Sequence, residues 1–190
     1  VWFLSSGGQQ LLQVQTDRFV CNWRRSAEQP YLGFAQVLDV FTRELRVFVA
    51  ALPGGEGPVF TQCELTYVSH AVAGEGFSGH SELDRVVRGW TWPALPQGIT
   101  PERMALRGSY VCGDGEGEPW ARVHQVVNPV SRVKDKTPLL AIEITARGAP
   151  LAAGLEGVVA FLEKAHCTIT NVFLASTTEH IHGVWGRRDD

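Results

Sequence analysis

From residue 31 onward the apolar side chains Tyr31, Phe34, Leu38, Phe41, Leu45, Phe48 and Leu52 recur at three-four spacing, the strongest periodicity in the chain. Side chains three and four apart stack on one side of an α-helix, so this spacing describes a helix with one apolar stripe. Asp39, Arg43, Glu44 and Arg46 fall on the other side, and the stripe must therefore be laid on a second layer. Pro30 suits the entrance of the helix and Pro53-Gly54-Gly55 stops it. The expectation is that Phe34, Leu38, Phe41, Leu45 and Phe48 are buried on a sheet face.

A sheet is encoded just before the helix. Residues 1–4 read Val-Trp-Phe-Leu, Gly7-Gly8 turns the chain, and Leu12 and Val14 alternate with Gln13 and Gln15. Thr16-Asp17 supplies a second turn, after which Phe19, Cys21 and Trp23 share one face while Arg18, Asn22 and Arg24 share the other. Burial of both aromatic residues requires the first face to point inward, and a one-residue slip would bury Asn22 and Arg24 instead. If Arg24 is enclosed it needs a carboxylate, with Glu64 and Glu143 the expected partners.

The remainder repeats this plan. Residues 60–72 alternate as a long strand, residues 81–90 suggest a short helix, and proline-rich 93–101 reads as irregular. Three runs rich in β-branched residues at 104–112, 120–128 and 139–147 form a second meander, with turns at 113–117 and around 134–136. Leu151, Leu155, Val158, Leu162, Ala165, Ile169 and Val172 then mark a second long helix, whose first turns Gly154 and Gly157 weaken or bring close to another backbone. A polar tail follows from Ser176. The expected class is α+β: a curved antiparallel sheet with both long helices on one face, built from a meander-plus-helix unit used twice. The chain is read as a single domain, residues 1–190, with two fused halves, 1–58 and 59–190, as the other division.

With 17 Lys and Arg against 20 Asp and Glu the net charge is -3, which removes the generic attraction to phosphate backbones and anionic membranes. No uninterrupted apolar run reaches the ~18 residues that span a bilayer. Cys21, Cys63, Cys112 and Cys167 are isolated and on apolar faces, so they are expected as reduced core thiols, which points to the cytoplasm. The chain starts at Val1 inside a strand, and a natural segment ahead of it is expected.

Four signatures in order resemble a sporadically distributed family of uncharacterised bacterial proteins. They are LLQVQTDRFVCNWRR at 11–25, Tyr31 with Phe34, ELTYVSH at 64–70, and a C-terminal pattern of Ala165-His166, Phe173, Ser176-Thr177-Thr178, His182 and Trp185-Gly186-Arg187. The resemblance covers nearly the whole chain and implies a segment ahead of Val1, but it carries no established activity. Ser69 stands where that family pattern has an asparagine.

Candidate functional residues are few. Asn22, Trp23 and Arg24 form an aromatic-flanked polar surface, where the Arg24 fork suits a carboxylate or phosphate. Glu64, Thr66 and His70 share a strand face, but Glu64 and His70 are about 20 Å apart along it. Catalysis by His70 therefore needs a partner such as His166 or Glu143. His166, at the margin of the second helical stripe, reads first as a core histidine bonded through one ring nitrogen, since a lone histidine there is more often that than a ligand. Trp185 lies in the tail, as do His180 and His182, whose HxH spacing alone does not complete a metal shell. Phosphate-loop, dinucleotide, GxSxG and HExxH motifs are absent from the sequence.

Three readings follow. The first is a non-catalytic binding protein recognising a protein, peptide or small ligand, with Asn22, Trp23, Arg24, His70, His166 and Trp185 as binding candidates. It carries no metal or cofactor, has no membrane partner, and allows a homo-oligomer. The second is an enzyme with a site assembled from His70, His166 and nearby carboxylates. Nucleic-acid binding through a saddle-like sheet is the third, and the acidic balance counts against it.

Overall fold

The structure is a computed structural model that describes residues 1–25, 32–53, 57–113, 115 and 117–186. It is α+β with open antiparallel sheets, and the chain divides into two compact units: Val1–Thr61 with Pro150–Ala160, and Gln62–Ala149 with Phe161–Asp190.

In the first unit, β1 (Trp2–Leu4), β2 (Gln10–Val14) and β3 (Phe19–Trp23) form a three-stranded sheet in that order, closed by two local hairpins. Helix α1 (Phe34–Ala50) lies on β3, where the Phe19 ring meets Phe41 edge-on at 5.8 Å and Phe48 at 5.5 Å. Of the expected stripe only Leu38 and Leu45 are buried, while Phe34, Phe41 and Phe48 are half-buried. A helix of 17 residues is about 25 Å long, whereas strands of five residues cover about 17 Å, so the sheet is too short to roof the whole stripe. The helix starts after Gly33, held at φ 82°. The expected cap elements Pro30, Tyr31, Gly54 and Gly55 lie outside the described residues.

Helix α2 (Gly154–Ser176) begins three residues later than its apolar pattern. A Cβ on Gly157 would lie 1.8 Å from the Ala152 carbonyl oxygen, so the second glycine admits the close backbone approach expected of it.

The second unit holds β4 (Cys63–Val72), β5 (Leu106–Cys112), β6 (Ala121–Ser131) and β7 (Pro138–Gly148) in the order β4-β7-β6-β5. The expected single curved sheet is thus two sheets. β4 runs antiparallel to β7 over ten residue pairs, while β1, β2 and β3 pair only with one another. Nor do the two long helices share one sheet face, because α1 lies on β3 and the C-terminal part of α2 lies on the four-stranded sheet. There Phe161, Ala165 and Ile169 are fully buried with Val123, Ile142 and Ile144. A Cβ on Gly148 would meet the Trp120 carbonyl oxygen at 2.2 Å, which shows how closely β7 is packed at this end.

Among the described residues, α2 alone is long and apolar enough to cross a membrane by length and composition. Its outer side nevertheless carries Glu156, Glu163, Lys164, Cys167 and Asn171, all exposed, so it is amphipathic. Cys167 is therefore not a core thiol as expected; Cys63 is buried, and Cys21 and Cys112 are half-buried. The short helix expected over 81–90 is a 3-10 segment, His80–Arg85.

The polar tail is the largest departure from the sequence reading. Residues 176–178 bridge back onto 86–88, with Arg88 N–H donating to Ser176 O at 2.8 Å and Thr178 N–H to Val86 O at 3.0 Å. Helix α3 (Glu179–Val184) follows, capped by the Thr178 hydroxyl, which accepts from Ile181 N–H. Ile181 and His182 are buried. Residues 187–190 lie outside the described residues.

Candidate binding surfaces

In β4 the side chains alternate strictly. Cys63, Leu65, Tyr67, Ser69 and Ala71 face α2, and Glu64, Thr66, Val68 and His70 face away. Opposed residues of an antiparallel ladder point to the same side, so the register extends this away-facing surface across the sheet. One row runs Glu64, Arg147, Arg122, Val111. The next runs Thr66, Thr145, His124, Ser109, and the third Val68, Glu143, Val126, Arg107. His70 begins a fourth, with Ala141 and Asn128.

This open face is polar but not saturated with internal bonds. Arg147 Nε donates to Glu64 Oε2 at 2.7 Å, the Thr66 and Thr145 hydroxyls stand 2.8 Å apart, and Ser109 Oγ is 3.0 Å from His124 Nδ1. Arg107, Arg122, His70 and Asn128 are exposed and make no side-chain hydrogen bond or ion pair among the described residues. Val68 and Val111, on β4 and β5, stand largely in solvent between them. The surface can therefore offer guanidinium and imidazole donors beside β-branched side chains.

On the covered face, Tyr67 Oη and His166 Nδ1 are 2.7 Å apart, and burial pushes the imidazole pKa below its ordinary value. His166 thus packs between helix and sheet, bonded to Tyr67. His70 stands three residues from Tyr67, an odd step, and so projects to the opposite side of the sheet. The expected constellation is not assembled: Glu143 shares the open face with His70, while His166 lies beneath it.

A part-buried polar chain ties the sheet to the end of α2. Tyr110 Oη donates to Gln125 Oε1 at 3.0 Å, and Gln125 Nε2 donates to Ser176 Oγ at 2.7 Å. The Thr177 hydroxyl donates to Phe173 O at 2.6 Å. Its one proton being committed, His182 Nε2 must carry the hydrogen in its 2.6 Å bond to Thr177 Oγ1. His180 Nε2 donates instead to Gly76 O at 2.6 Å, so the two histidines of the HxH pattern are bonded in different directions. Trp185 stacks on Phe173 at 5.6 Å. His182 and Trp185 serve packing here rather than an exposed tail.

In the first unit Asn22 is exposed, Trp23 half-buried and Arg24 exposed. Arg24 is exposed rather than enclosed, so the condition for a carboxylate partner is not met, and its Nε donates to Gly8 O at 2.9 Å. A surface the sequence reading passed over is β1 itself. Val1, Trp2, Phe3 and Leu4 are 77%, 69%, 56% and 65% exposed on an outer strand. The signals for both overlooked surfaces were present: period-two alternation through Arg107, Arg122 and Arg147, and four consecutive large apolar residues at the first strand.

In comparisons with protein-family models, curated proteins and solved structures, nothing matches the chain.

Proposed function

We propose that this chain is a non-catalytic binding protein whose open four-stranded face recognises an acidic segment of a protein or peptide partner. The observation that carries the reading is the pair of exposed arginines, Arg107 on β5 and Arg122 on β6, without ion-pair partners among the described residues. Arg107 is four residues along β5 from Val111, which opposes Arg122, a separation of about 13 Å or some four residues of extended chain. Carboxylates on a short extended segment can take both forks, and Val68, Val111 and Val126 supply apolar contact.

Arg147 is already neutralised by Glu64, and Glu143 shares the face, so the surface is too mixed in sign to favour a long polyanion. That favours a protein segment over nucleic acid. The enzyme alternative draws no support from His70 and His166, which project from opposite sides of the sheet. The four free cysteines accord with a bacterial cytoplasmic setting for this activity.

The test is quantitative recovery of partners from native-host lysate on the tagged wild-type chain and on an Arg107→Glu/Arg122→Glu variant. A partner with an acidic segment should be enriched by the wild type, fall at least tenfold with the variant, and weaken with salt. Recovery of the same proteins by both chains would overturn the reading.

A further inference from the structure

The β1 edge carries a pattern of hydrogen-bonding groups that is complementary to itself. Val14 N donates to Val1 O at 2.9 Å, the amino-terminal nitrogen of Val1 donates to Val14 O at 2.7 Å, and Ser5 N donates to Gln10 O at 2.9 Å. In an antiparallel ladder such pairs alternate, so Phe3 also turns its amide and carbonyl toward Leu12 on β2. The amides and carbonyls of Trp2 and Leu4 consequently point away from the sheet, toward solvent. We infer that β1 is a homodimer interface, in which a second copy of this chain adds its own β1 antiparallel to the first about a two-fold axis at Phe3.

The register follows from those groups. Trp2 opposes Leu4 of the second copy and Leu4 opposes Trp2, so each pair exchanges two bonds and all four outward groups of each chain are used. A two-fold axis perpendicular to the sheet keeps the faces aligned. Each Trp2 then lies over the opposing Leu4, and the two Phe3 rings meet as a non-bonded cross-strand pair, where side chains approach most closely. The isologous geometry closes at two chains and joins two three-stranded sheets into one of six.

Composition singles out this partner. Residues 1–4 include neither proline nor a charged side chain, the usual devices that keep an edge strand from pairing. The four exposed side chains offer about 500 Å² per copy, of which edge-to-edge pairing covers the part beside the partner strand, so the four backbone bonds carry much of the contact and association is expected in the upper micromolar range. A charged ligand would find nothing to pair with on this edge, whereas an identical strand satisfies every outward group.

The experiment is sedimentation velocity on the full 190-residue chain from about 1 to 200 µM, with Phe3→Lys and Phe3→Glu variants. The wild-type mass should move from 20.9 kDa toward twice that value. Each variant should stay monomeric, because the axis sets its new charge against an identical one. An equimolar mixture of the two variants should recover the dimer. That recovery separates a lost interface from a damaged fold, which unchanged circular dichroism also checks. A wild type monomeric at 200 µM, a dimer indifferent to both variants, or a mixture that stays monomeric would each overturn the inference.

Discussion

Replacing Thr177 by valine tests whether the C-terminal segment is built into the core. Valine nearly matches threonine in shape, and Thr177 is fully buried, so the substitution deletes a hydroxyl without opening a cavity. Two bonds go with it: the 2.6 Å donation to Phe173 O, and the 2.6 Å acceptance from His182 Nε2. The first contributes about 1 kcal/mol net, and stripping a buried N–H of its acceptor costs about 1–3 kcal/mol more. The sum is about 2–4 kcal/mol, and a loss of about 3 kcal/mol would lower Tm by roughly 6–12 °C in a chain of this size. Urea titration followed by circular dichroism reads the change directly. Thr177→Ser keeps the hydroxyl and gives up one methyl, so it should lose only about 1 kcal/mol. A valine variant within 0.5 kcal/mol of wild type, or less perturbed than the serine variant, would refute the bonded, docked segment.

Two further outcomes follow from titratable groups. Burial pushes the Cys63 thiol up to about 11, leaving about one part in a thousand as thiolate at pH 8, whereas Cys167 is exposed. Iodoacetamide at pH 8 should therefore label Cys167 first and Cys63 only after unfolding; early labelling of Cys63, mapped by mass spectrometry, would contradict its placement. His166 has its folded pKa depressed below 6.5, so between that folded value and 6.5 the unfolded chain binds a proton that the native chain does not. Stability should be complete above pH 6.5 and decline as pH falls through that window, and His166→Gln should remove this part of the slope; equal slopes would count against the half-buried neutral imidazole.

The sequence carried local pattern better than pairing. Alternation located six of the seven strands among the described residues, a short apolar run located the first, and three-four spacing located both long helices, because each pattern is local. It did not say which strands would meet. β4 pairs with β7 across more than sixty residues of intervening chain, and no local signal distinguishes that from joining β3. The fate of the tail was hidden for a related reason: Glu-His-Ile-His-Gly is polar by composition, yet Ile181 and His182 alone turn inward, and Thr177 satisfies the histidine. For the site, parity already separated Tyr67 from His70 on β4. Only tertiary contact could place His166 against Tyr67, and so on the side His70 does not reach. Arg107 and Arg122 were legible as outward residues, but without a motif nothing in the sequence marked them as a surface.

The proposed binding role is tested most directly by photo-crosslinking from the two sides of the second unit in cells of the native host. A benzoylphenylalanine at Val111 or Val68 stands on the open face, while one at Asn171 stands on the exposed outer side of α2. The account predicts one protein adduct common to both open-face positions, carrying an acidic segment, absent from Asn171 and lost on Arg107→Glu/Arg122→Glu. Adducts of the same protein from Asn171, or none from Val111 and Val68 while Asn171 captures one, would place recognition elsewhere and contradict it.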